Sequence, residues 1–150
     1  MEKINRKNTI NFNKELVFGE MGAIIGAPLF AFAISNFTNV VKYISFSAVL
    51  GSILVQALFW LSMRVYDKKT EKGYSVKNLG EDIIYFTPVA FLVALFFYYP
   101  ILFFASEHFM RDNHRVVYSV ISAQLFAFFA FLSLMNLYRY LLAKYYGKVL

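Results

Sequence analysis

Apolar and polar positions alternate along this chain on the scale of tens of residues. Four apolar runs, at about 16–35, 43–63, 83–105 and 116–142, are separated by short charged stretches. Each holds about 20 residues or more, the length a helix needs to cross roughly 30 Å of hydrocarbon. The pattern predicts an all-α membrane protein, a four-transmembrane-helix bundle that occupies residues 1–150 as a single integral membrane domain. The turn at 36–42 is too short for anything but an antiparallel connection, so the runs pair as two antiparallel helical hairpins. A polar, Asn- and Lys-rich tail covers 1–14.

Composition fits that prediction. Hydrophobic residues make up 59% of the 150 and charged residues 16%, against about 45–50% and about 25% in soluble domains. The mean hydropathy is +0.54. Cysteine is absent, which excludes disulfides, thiolate metal sites, thiol catalysis and palmitoyl anchors.

The net charge of +6 changes the picture only through its distribution. Lys3, Arg6, Lys7 and Lys14 precede the first run. Arg64, Lys68, Lys69, Lys72 and Lys77 follow the second, and Arg139, Lys144 and Lys148 close the fourth. The opposite side carries only Lys42, Arg111 and Arg115. The positive-inside rule therefore predicts a multi-pass protein with both termini cytoplasmic. The basic groups sit beside lipid phosphates, and no separate basic face exists for nucleic acid. Tyr43, Phe46, Tyr98, Tyr99 and Tyr118 read as an outer aromatic belt. Trp60, Tyr66, Tyr85, Tyr138 and Tyr140 read as an inner one. The first run has a basic lead and a cleavage-like Ala31-Phe32-Ala33. It is long for a signal peptide and holds Glu20, so it reads as a retained span.

Gly19, Gly22, Ala23, Gly26 and Ala27 give the first run a smooth stripe containing a GxxxG. Ser45, Ala48, Gly51 and Ser52 do the same for the second, and Ser119, Ser122, Ala123, Ala130 and Ser133 for the fourth. Gly19, Gly22, Gly26 and Gly51 are the helix-packing candidates. Pro28 removes a backbone donor mid-span, and Pro88 and Pro100 do so in the third run. The sequon Asn36-Phe37-Thr38 lies too near the membrane to accept a glycan and reads as a turn. The pairs Gly19-Glu20 and Gly80-Glu81, each followed by a proline, hint at a duplicated hairpin.

Ionisable groups within a membrane are costly and are functional candidates. Glu20 is the nearest to one, about a turn inside the first run. It is either a proton or cation site or a helix-end carboxylate paired with Lys14, Arg64 or Arg139. Glu81 and Asp82 read as helix-start carboxylates. Gln56 and Gln124 are the polar side chains nearest mid-membrane, either lining a path or bonding between helices. With Glu20 they are the substrate or ion path candidates. Asn136, Arg139 and Lys144 are lipid-headgroup candidates at the inner end of the fourth run. Glu107, His108, Asp112 and His114 fall in a predicted outer loop with spacing unlike a zinc site, and no metal or cofactor is expected. No hydrolase, nucleotide or di-metal motif occurs, and no enzymatic activity is expected.

Two functions follow. The first is a subunit, assembly factor or homo-oligomer acting through helix association with itself, a membrane-protein partner and membrane lipids. The second is a small permease or lipid-linked-substrate translocator. The layout resembles that of the GtrA-like family, small four-span proteins linked to movement of polyprenyl-phosphate sugars. The segments Ser62-Met63-Arg64-Val65-Tyr66 and Asn136-Leu137-Tyr138-Arg139 stand where that family carries its Asn-Arg aromatic signature, and they match it only loosely. The resemblance implies a translocator; Glu20 and the two glutamines are placed along its path by their polarity within the apolar runs.

Overall fold

The computed structural model describes residues 6–70, 88–113 and 115–146. They form helix α1 (Arg6–Ser35), α2 (Val41–Thr70), α3 (88–113) and α4 (Val116–Tyr146). All four contain a stretch long and apolar enough to cross a membrane: Leu16–Ser35, Val41–Met63, Pro88–Asp112 and Val116–Tyr145. The described residues form only helices and the turns between them, and their surface suits lipid: Phe96, Phe104, Phe126 and Phe129 point outward and are well exposed.

α1 and α2 form the tightest pair. A Cβ on Gly22 would stand 2.7 Å from the Val55 carbonyl oxygen, and one on Gly26 would collide with the Gly51 carbonyl. Gly51 meets the Gly26 carbonyl in the same way. Gly19 lies beside Gln56 and Trp60, so the pairing is antiparallel. Only residues without side chains let two backbones approach this closely. α1 runs unbroken through Pro28 to Ser35. The chain then turns by Phe37 N–H to the Ile34 carbonyl at 2.9 Å, and the Val40 N–H donates to the Thr38 hydroxyl at 3.1 Å.

α4 lies against α1 and α3. At one end the Asn136 amide donates to Asn13 at 2.8 Å. Towards the other, Ala27, Ala31, Ile44, Ala48, Met110 and Val120 share one cluster. A second cluster gathers Leu16, Tyr98, Leu102, Ala127, Phe131 and Met135. The buried face of α4 runs Val120, Ala123, Gln124, Ala127, Phe131, Met135, a three-and-four spacing. The small-residue stripe expected there is only partly buried, since Ser122 and Ser133 are exposed.

α3 departs from a regular helix. Ala94–Tyr98 is a π turn, closed by the Tyr99 N–H on the Ala94 carbonyl. Pro100 follows at once. Its ring would press on the Phe96 carbonyl in a regular α-helix, and the widened turn relieves that conflict.

Two segments differ from expectation. The predicted outer loop after residue 105 is helical to Asn113, because Arg111–Glu107 (2.6 Å) and His108–Asp112 (3.5 Å) are i,i+4 pairs that support a polar helix. α1 begins at Arg6, within the predicted tail; α2 continues to Thr70, in line with an inner loop whose ends extend the helices. Gly80-Glu81, Asp82 and Tyr85, on which the duplication and one belt position rest, lie outside the described residues, as does His114.

Candidate functional site: a four-helix polar cluster

One polar residue from each helix meets inside the bundle. Glu20 of α1 is 2% exposed, and Gln124 of α4 and Ser52 of α2 are fully buried. All three converge on Tyr98 of α3, itself fully buried. The Tyr98 hydroxyl donates across both carboxylate oxygens of Glu20, at 3.2 Å to Oε1 and 3.1 Å to Oε2. It accepts from the Gln124 amide nitrogen at 3.3 Å. Ser52 lies 3.3 Å away and supplies the second donor, since a phenol has one proton and two lone pairs. The hydroxyl is then saturated.

Local structure explains the convergence. Ser52 is the central residue of Val41–Met63 and follows Gly51, where α1 and α2 come closest. Glu20 follows Gly19 on the face that α1 turns inward. Tyr98 ends the π turn. Its ring is held edge-on by Tyr99 (5.3 Å between centroids) and Phe131 (5.8 Å).

Electrostatically the cluster is one carboxylate among neutral groups. Among the described residues no basic side chain forms an ion pair with Glu20. The expected pairing with Lys14 or Arg139 is replaced by Tyr98, and the side chain of Arg64 lies outside the description. The Gln124 carbonyl oxygen is buried without a partner, so the site holds an excess of oxygen acceptors. That composition suits a proton or a hard cation.

A cavity of about 200 Å³ abuts the cluster. Gly19, Gln56, Trp60, Tyr99 and Phe131 line it with apolar neighbours. Gly19 and Tyr99 face the cavity, while the adjoining Glu20 and Tyr98 face the cluster. Gln56 thus belongs to the cavity and not to the cluster, and its buried carbonyl oxygen has no partner.

The structure joins two of the three path candidates, Glu20 and Gln124, through two residues not singled out for chemistry. Tyr98 was expected in an aromatic belt. It is a core residue, because the π turn carries it inward. Ser52 was read as a small packing residue. Tyr43, Phe46 and Tyr118 are well exposed, as a belt requires, and so are Tyr66 and Tyr140.

Each lipid-headgroup candidate has contacts of its own. Asn136 bonds Asn13 and the Leu132 carbonyl, and Arg139 turns into the bundle at 3% exposure. Lys144 lies over the rings of Tyr140 (5.9 Å) and Tyr145 (5.5 Å). Among the described residues no three His, Asp or Glu side chains come together as metal ligands.

No family model, curated protein or solved structure matches the chain.

Proposed function

We propose that the chain is a small multi-pass membrane carrier, without catalytic chemistry, in which Glu20 takes up a proton or a monovalent cation during transport. One observation carries this reading: a carboxylate 2% exposed, surrounded by neutral oxygen and nitrogen groups from three other helices. An uncompensated charge in a lipid-surrounded interior costs several kcal/mol or more. A proton or a bound cation removes that cost, and the cluster supplies the oxygens to receive either. The adjoining cavity gives a substrate a place within one side chain of the carboxylate. Both termini are read as cytoplasmic, where the basic residues concentrate.

The second reading is a subunit, assembly factor or homo-oligomer, with the cluster as interhelical glue. Saturation of the Tyr98 hydroxyl favours it, because a closed network already holds four helices together. Against it, Gly22, Gly26 and Gly51 face each other within one chain, so their stripe is not free for a partner helix.

An apolar carbodiimide separates the two, since it attacks a protonated carboxyl that water-soluble reagents do not reach. Incubated with the purified protein in detergent, it is expected to add to Glu20, more slowly as pH rises and in the presence of Na⁺. Glu20→Gln should abolish the adduct while keeping the fold. No labelling of Glu20 at any pH, together with full labelling after denaturation in dodecyl sulfate, would reject the carrier reading and leave the structural one.

A further inference from the structure

Serine hydroxyls in this bundle mostly return to their own helix. Ser47, Ser62, Ser106 and Ser133 each donate to a carbonyl three or four residues back, at 2.7–3.0 Å. Ser119 differs. It is 3% exposed, and its hydroxyl has no partner among the described residues. It lines a cavity of about 510 Å³ together with Phe109, Arg115, Tyr118, Ser122 and Phe126. Arg115 and Tyr118 also border a neighbouring cavity of about 340 Å³, which reaches Val116, Val117 and, on α1, Ser35.

α4 begins at this point. The Ser119 N–H bonds the Arg115 carbonyl at 3.0 Å, the first bond of the helix. The amides of Val116, Val117 and Tyr118 therefore have no acceptor within it. The positive end of a 31-residue helix lies at the same place. Arg115 is exposed, with its guanidinium 5.8 Å from the centre of the Tyr118 ring. On α3, Arg111 is paired with Glu107, and the His108 imidazole lies 3.5 Å from the Asp112 carboxylate. Arg115 thus keeps its charge without a carboxylate partner among the described residues.

We infer that this end of the α3–α4 pair binds a phosphate-bearing amphiphile. The donors approach from three directions: a guanidinium, helix amides and the hydroxyls of Ser119 and Ser122. A tetrahedral phosphate offers oxygens to all three, whereas a carboxylate has two oxygens in one plane. The rings of Phe109 and Phe126, with centroids 6.0 Å apart, form an apolar wall for an acyl chain. The site lies at the opposite end of α4 from Asn136, Arg139 and Lys144 and is independent of the Glu20 cluster.

The test measures thermal protection of the full chain in maltoside detergent by phosphatidylglycerol, diacylglycerol and inorganic phosphate. Phosphatidylglycerol is expected to protect and diacylglycerol not to. Arg115→Gln should weaken protection about tenfold, the loss of one charge-assisted bond. Ser119→Ala should weaken it about threefold, and Lys144→Gln should leave it unchanged. Without lipid both site variants should melt like the parent, since neither side chain bonds within the described protein beyond the Arg115–Tyr118 stacking. Protection by inorganic phosphate at similar concentration would assign the site to soluble phosphate esters. Equal binding of diacylglycerol, or equal weakening by Arg115→Gln and Lys144→Gln, would overturn the inference.

Discussion

Tyr98 is the residue on which the interior depends. Its one proton goes to Glu20, and its two lone pairs face Ser52 and Gln124. Tyr98→Phe keeps the ring packing against Tyr99 and Phe131 but strands three buried polar groups. Interhelical bonds of this kind are worth about 0.6–2 kcal/mol each, so the variant should lose about 2–4 kcal/mol, read as thermal or denaturant unfolding in detergent. Gln56→Leu makes the contrast. It removes a buried carbonyl oxygen that has no partner, and its stability should hold or rise by about 1 kcal/mol. The sequence pointed to Glu20 and Gln124 because charge and amide groups stand out in an apolar run. It hid Tyr98, because a tyrosine among phenylalanines reads as a membrane-surface residue until the π turn that redirects it is known. Ser52 was hidden for a different reason: small residues signal packing far more often than chemistry.

At the scale of the helices, glycine position separates two outcomes that composition alone would merge. A methyl at Gly19 would lie 3.4 Å from the Trp60 Cβ, an ordinary contact, whereas one at Gly26 would strike the Gly51 carbonyl and stand 2.7 Å from the Val55 Cβ. Alanine is the better helix former by about 1 kcal/mol. Gly19→Ala should therefore be neutral or slightly stabilising. Gly26→Ala should cost about 1–3 kcal/mol through forced separation of α1 and α2. Melting curves of the two variants side by side check both. The spans themselves were legible, since four runs of sufficient length leave little choice. The polar ends of α1 and α3 were not. The end of α3 was expected to be a loop because it is charged, yet charges four residues apart with opposite sign favour helix. Hydrophobicity marks where a helix meets lipid, not where its hydrogen bonds stop.

For the whole molecule, Asn13 and Asn136 bring the beginning of α1 and the end of α4 together. The chain lacks cysteine, so Asn13→Cys with Asn136→Cys introduces the only thiols. A short bifunctional maleimide should join them within one chain and alter its mobility on denaturing gels. Failure of the link in the folded protein would separate those two ends. Sidedness was read from lysine and arginine placement, and tags on both termini should be reached by protease only from the cytoplasmic face. Contact at Gly26 and Gly51 has a mechanical consequence. Backbones in contact at Gly26–Gly51 and again at Gly22–Val55 resist sliding past each other, so the movement left to them is a small pivot about that contact. Thirty residues of α1 form a rod of about 45 Å, and a swing of about 5° carries its Arg6 end, about 30 Å from Gly26, through about 3 Å. Any relative movement of α1 and α2 is therefore smallest beside Ser52, next to that contact, and grows towards the helix ends.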